Sequence, residues 1–429
     1  MLAEKAEAAP TMERKHHIAF FRQSGWLMIA NIAGGILMLG VHFLSKRIPD
    51  AEYGVFIVML TLIMCVPSGP LQIVFAQQTA KALATNRGRE LAGMIRLVWL
   101  GTFVLWLAGV LVVFAIQGQL LARWQVTNPA ALWVTMLVIL FSLWMPLFSG
   151  VLQGQQNFLW LGGAMILNGA GRMGLAALLV LVMGGYAAGM LTGAMLGLLA
   201  AVGVAVWQTR ALWTGPSQPF NWRSLLGQVI PLMLGTGAFQ FLFTADMMFV
   251  KSYFPGEDTA PYGGAGTMSR ALMWLVGPLA TVMFPKLVHS AAKGQKSNLV
   301  GVVLAGTAVL AAGGAVGLTV LGPFVVKIVY PESYLSSATA ILPWYAWGML
   351  PLALANVLIT NLLAHSQFRV VPALVVLAGC YAFALTRFHD NFVMVLQVFG
   401  VSNLLLMAIA AWFTWGRSKS RNLGPASAA

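Results

Sequence analysis

Apolar positions along this chain neither alternate nor form narrow stripes. They fall into continuous runs of roughly 20 residues, the length a helix needs to cross a bilayer. Twelve runs read as spans, with approximate limits 24–45, 53–76, 91–116, 130–152, 158–182, 185–207, 227–251, 263–288, 299–326, 338–363, 370–388 and 392–415. The segment "VMGGYAAG" between the fifth and sixth has room only for a tight turn. The predicted fold class is all-α: a polytopic membrane protein of about 12 transmembrane helices. Composition agrees, since 8% of the 429 residues are charged and 59% are hydrophobic, whereas an ordinary soluble domain carries about 25% charged residues.

The formal charge of +14 suggests nucleic acid until its placement is considered. With the N-terminus inside, seventeen Lys and Arg fall on the cytoplasmic side: in the N-terminal tail, around 81–96, in 208–224, around 286–296, at Arg369 and in the C-terminal tail. Six fall outside: Lys46, Arg47, Arg123, Lys251, Lys327 and Arg387. This is the positive-inside pattern. It places both termini in the cytoplasm and removes most of the case for nucleic acid, so no nucleic-acid partner is expected. Cys65 and Cys380 both lie in spans, so no disulfide framework is expected. The first apolar run lacks a small-residue cleavage signal and reads as a retained span. No phosphate-binding Gly-rich Lys motif, metal-spaced Cys/His cluster or nucleophile elbow is visible. The expectation is no cofactor, no metal and no enzymatic activity.

The runs also repeat. Residues 53–71, "YGVFIVMLTLIMCVPSGPL", and 262–279, "YGGAGTMSRALMWLVGPL", both begin with Tyr-Gly and end with Gly-Pro-Leu. Each follows a short acidic, proline-bearing loop, and a similar offset takes Trp207 to Trp415. A six-plus-six duplication follows, with parallel halves because each holds an even number of spans. The expected division is an N-terminal six-helix bundle at 1–207, a cytoplasmic linker at 208–224 and a C-terminal six-helix bundle at 225–429, the bundles enclosing a central cavity. The pairs Gly69–Pro70 and Gly277–Pro278 are expected bend points, since proline inside a helix removes a hydrogen bond. A static kink that serves packing is the alternative.

Several segments carry a family resemblance. "ANIAGGILMLGVHFLSKRIPDAEYGVFIVMLTLI" resembles the opening of the polysaccharide-exporter branch of the multidrug/oligosaccharidyl-lipid/polysaccharide (MOP) superfamily. "GVLQGQQNFLWL…NGAGR" resembles its fourth and fifth spans, "ADMMFVKSYF…YGGAGTMSRALMWLVGPLATVMFPKLVHSA" its seventh and eighth, and "ILPWYAWGMLPLALANVLITNLLAHSQF" its tenth. The resemblance implies a flippase of the O-antigen and capsule type in a bacterial inner membrane, with a lipid-linked oligosaccharide as substrate. It also implies membrane lipids and a polysaccharide polymerase or ligase machinery as partners. A cation-coupled multidrug exporter of the same superfamily and a non-transporting subunit of a polysaccharide export machine are the alternatives.

Three charges lie deep in spans: Asp246, Arg172 and Arg270. Charges there are costly and mark function or pairing. Asp246 and Arg270 lie at similar depths from the outer face on consecutive antiparallel spans, so they are expected to pair. The bridge either locks two helices together or lines the cavity and opens during transport. Arg172 then has no acid of matching depth. It either binds backbone carbonyls or, as a planar bidentate fork, takes a phosphate. Arg172 and Arg270 are therefore candidate substrate ligands, with Asn168 one turn before Arg172 on the same face and Asn31 on the first span. Two deep arginines against one carboxylate favour an anionic substrate over a cationic drug.

Overall fold

The computed structural model describes residues 26–27, 29–292, 299–364 and 367–416. These residues are helical and form no strand. The first helix, α1 (Ile29–Arg47), tightens into a 3-10 turn from Val41 onward. It is followed by α2 (Asp50–Met64), α3 (Gly69–Ala84), α4 (Gly88–Arg123), α5 (Pro129–Gly154), α6 (Phe158–Leu181) and α7 (Tyr186–Trp213). Then come α8 (Trp222–Thr244), α9 (Asp246–Tyr253), α10 (Gly256–Ala292), α11 (Leu299–Val329), α12 (Leu335–Ala364), α13 (Val371–Arg387) and α14 (Phe392–Ala411).

Among the described residues, 11 helical segments are long and apolar enough to cross a membrane. The place of the expected eighth span is filled by α10, a helix of 37 residues. Two expected spans are each built from a pair of helices. The second is α2 plus α3, interrupted at residues 65–68; the seventh is α8 plus α9, interrupted at Ala245. The first interruption has a local cause. "CVPSGP" places prolines at 67 and 70, and a proline is best tolerated in the first turn of a helix, where its missing N–H costs nothing. Pro70 stands in the first turn of α3.

By packing, the residues form two compact units: Met1–Arg47, Ser68–Gln117 and Asn128–Leu225 in the first, and Ile48–Pro67, Gly118–Thr127 and Leu226–Ala429 in the second. The grouping differs from a single cut at 208–224 in two places, because α2 and residues 118–127, the end of α4 and the turn after it, pack with the second unit. In the first unit, α6 and α7 pack most closely, and α5 packs against α3 and α7. In the second, α12 is central and packs against α10, α11 and α14, while α2 packs against α9 and α10.

The α2–α10 contact joins the two Tyr-Gly motifs of the repeat. Tyr53 and Tyr262 are both fully buried. A Cβ on Gly54 would stand 2.6 Å from Thr259 Oγ1, and one on Gly263 would stand 3.0 Å from Ile57 Cγ2. Each glycine thus receives the helix that carries the other.

Candidate functional site

Asp246 begins α9, directly after the interruption at Ala245. Its carboxylate has no solvent exposure, so in apolar surroundings it needs full compensation. That compensation is present. Arg270 Nη2, from α10, lies 2.8 Å from Oδ1. Tyr262 Oη donates to Oδ2 at 2.8 Å, and Tyr345 Oη, from α12, donates to the same oxygen. Arg270 is held in turn: Nη2 also donates to Tyr345 Oη at 2.6 Å, and Nε donates to the Phe243 carbonyl at 3.2 Å. That carbonyl stands beside the α8–α9 interruption. The guanidinium also lies 5.4 Å from the centre of the Tyr345 ring, within cation–π range. Gly266, one turn before Arg270, leaves the space: a Cβ there would meet Arg270 Nη1 at 3.0 Å and Tyr345 Oη at 3.1 Å.

The structure therefore brings Asp246 and Arg270 together and encloses them within the second unit. Arg270 is 8% exposed, and its fork is occupied by protein groups. Tyr381 Oη adds a buried hydroxyl with no hydrogen-bond partner, close enough for Asp246 to act on it electrostatically.

Arg172 belongs to the first unit and is half-buried on α6. It sits there because α6 and α7 approach through glycines. A Cβ on Gly197 would stand 2.6 Å from the Arg172 backbone nitrogen and 2.8 Å from the Asn168 carbonyl. Such small-residue seams are how membrane helices reach close packing. Arg172 Nε is buried with no hydrogen-bond partner. His42, buried in the 3-10 turn of α1, lies within electrostatic reach of it. Asn168 is half-buried one turn earlier, while Asn31 is exposed on α1. The predicted residues thus divide: Arg172, Asn168 and Asn31 belong to one unit, Asp246 and Arg270 to the other.

Of the expected bend points, Gly69 and Pro70 open α3 immediately after a real break, so the chain restarts a helix there instead of kinking within one. Gly277 and Pro278 fall within the span of α10, but their surroundings lie outside the described residues.

Sequence reading missed three groups. Tyr262 served only as a repeat landmark, and Tyr345 lies 99 residues from Asp246 in sequence; no local signal links them. Lys251, assigned above to an outer loop, is instead fully buried on α9, and Nζ has no hydrogen-bond partner. Glu52 acts on it electrostatically, and the Glu52 carboxylate accepts a hydrogen bond from Thr127 Oγ1 at 2.8 Å. The signal for its burial was present in "MMFVKSYF": apolar and aromatic residues continue on both sides of the lysine.

No protein-family model and no curated protein matches the chain. Solved structures do. An inward-facing multidrug resistance MATE family transporter of the MOP superfamily superposes with a TM-score of 0.66 at 12% identity, over 94% of this chain and 96% of that one. The lipid II flippase MurJ in an inward closed conformation gives 0.66 at 14% identity, over 91% of this chain and 87% of that one. A MOP superfamily transporter from Pyrococcus furiosus, described as having a binding pocket of reversed polarity that suggests a different function, gives 0.54 at 14% identity over 94% of each chain. The structural neighbours are MOP superfamily transporters, and the all-helical polytopic fold is shared with them.

Proposed function

We propose that the protein carries an anionic lipid-linked oligosaccharide, a polyprenyl-phosphate-linked glycan, across a bacterial inner membrane by alternating access, in the synthesis of a cell-surface polysaccharide. Both termini are then cytoplasmic, and a polymerase or ligase receives the product. One contrast supports an anionic substrate. Asp246, the one acid remote from tails, loops and span ends, is saturated by Arg270 and two tyrosines, whereas Arg172 Nε has no partner. A cationic drug finds no free deep carboxylate among the described residues; a phosphate finds a guanidinium with a donor to spare. Arg172 is the phosphate ligand on this reading, with Asn168 and Asn31 as polar contacts. Arg270 reaches a substrate only if its bonds to Asp246 and Tyr345 open.

The second reading is a cation-coupled multidrug exporter. It is favoured by the MATE neighbour, whose TM-score equals that of MurJ. Reconstitution into vesicles distinguishes the two. With a fluorescent polyprenyl-diphosphate glycan, the wild type should move label between leaflets, Arg172→Lys should move it more slowly and Arg172→Ala should not move it. Flipping by the Ala variant at the wild-type rate would remove Arg172 from the site. Export of organic cations without flipping would establish the second reading, and neither activity would leave a non-transporting subunit of an export machine.

A further inference from the structure

The first unit holds a feature that the transport reading does not use. A polar cavity of about 560 Å³ lies at the start of α4, lined by Asn86, Gly88, Arg89, Gly215 and Gln218 among others. An apolar cleft of about 320 Å³ is lined by Arg96, Trp99, Leu100, Phe103 and Trp144. One side chain joins them: Arg96 lines the cleft, and its Nη2 donates to the carbonyl of Gly215, which lines the cavity. Its Nε donates to the Trp213 carbonyl at 2.6 Å. Along α4 the lining residues 89, 92, 96, 99, 100 and 103 recur at helical spacing on one face. Polarity changes once along that face, from guanidinium to indole and phenyl. From Arg89 to Phe103 the helix rises about 21 Å, the scale of a lipid headgroup and the upper part of its chains.

The charge is one-sided. Arg87, Arg89, Arg96 and Arg210 lie along or next to the lining. The acid among them, Glu90, faces Arg87 at 3.9 Å. Arg89, Arg96, Leu100 and Phe103 are exposed on α4, as on a lipid-facing helix, so the groove opens to the surrounding bilayer. Basic pockets between membrane helices recognise anionic headgroups.

We propose that this face of α4 is a binding site for one resident anionic phospholipid, its phosphate at Arg89 and the polar cavity, its acyl chain along Trp99, Leu100 and Phe103. The site is independent of what the protein transports.

Native mass spectrometry and thermal unfolding of the full-length protein in neutral detergent test it, with phosphatidylglycerol, phosphatidylcholine and glycerol phosphate as probes. One phosphatidylglycerol should be retained and should raise the unfolding temperature, while phosphatidylcholine should not. Arg89 is exposed, so Arg89→Glu should fold normally and weaken phosphatidylglycerol binding about tenfold or more. Phe103→Ala should weaken the lipid without altering the small effect of glycerol phosphate. Equal stabilisation by phosphatidylcholine, or undiminished binding by both Arg89→Glu and Arg89→Gln, would overturn the proposal. Full stabilisation by glycerol phosphate alone would reassign the cavity to a free phosphate. A polyprenyl-linked glycan among the masses that Arg89→Glu releases would reassign it to the transport substrate.

Discussion

Asp246 with Arg270 in the second unit and Arg172 in the first are all charges set deep in apolar helices, but their bonding differs. Around Asp246 every strong donor is placed: a guanidinium on one carboxylate oxygen, two phenols on the other, and a helix interruption that offers Arg270 the Phe243 carbonyl. Around Arg172 the backbone is positioned just as tightly by Gly197, yet Nε is left without a partner. A buried charge whose bonds are all made holds helices in register and gains nothing from a ligand. One whose bonds are incomplete gains from any anion that completes them. The difference separates an architectural charge from a binding one more cleanly than depth does.

The contrast fails if Asp246 and Arg270 are not one energetic unit, and that test carries the largest expected effect. Asp246→Asn and Arg270→Gln should each cost about 3–5 kcal/mol, since each leaves a buried partner uncompensated. The double neutral variant should cost less than the sum. Chemical unfolding of the four detergent-purified proteins measures the cycle, and additive losses would break it. If the stable double variant still flips the glycan, the bridge is architectural; if it is inactive, Arg270 or Asp246 also serves the substrate.

A smaller effect tests whether the tyrosines belong to the same unit. Tyr345→Phe keeps the ring but removes a hydroxyl that bonds both Arg270 and Asp246. It should cost about 1.5–3 kcal/mol, the range for hydrogen bonds to charged groups. The effect should largely disappear in the background lacking both charges. A full cost in that background would mean that Tyr345 acts by packing alone.

The smallest effect sharpens the comparison with a third charge. Lys251 is buried like Asp246, and its Nζ, like Arg172 Nε, has no hydrogen-bond partner. Lys251→Met preserves most of the stem volume and removes an unsatisfied ammonium. Its stability should stay within about 1 kcal/mol of the wild type or rise above it. A loss as large as that of Arg270→Gln would show that the Glu52 charge holds Lys251 as firmly as Asp246 holds Arg270, and that counting hydrogen bonds does not separate the classes.

Much of this was legible in the chain before any coordinates. Span lengths follow from hydropathy, and the Asp246–Arg270 contact from two depths measured from one membrane face on consecutive helices. Tyr345 was not legible, because its link to Asp246 crosses 99 residues and depends on how α12 packs against α10. Lys251 was misplaced because a charge near the end of an apolar run ordinarily marks the membrane interface, although here the run continues past it through Tyr253 and Phe254. Pro70 was read as a kink within a helix; paired with Pro67 across residues 65–68, it marks a restart, a distinction that depends on which carbonyls lack donors. The division into units was hardest to see, since α2 packs with a bundle almost 200 residues downstream.

The meeting of Gly54 with Thr259 and of Gly263 with Ile57 has a consequence for ancestry. If the two halves descend from one shorter gene, the two copies of the Tyr-Gly segment did not separate into independent lineages within the molecule: each became the other's surroundings. A bulkier residue at either glycine must be accommodated in the sister copy, so the copies are bound to drift together. A half-length forebear bearing one such segment could bury it in this way only against a second molecule of itself. Duplication would then have joined in one gene a partnership that two separate chains had already made.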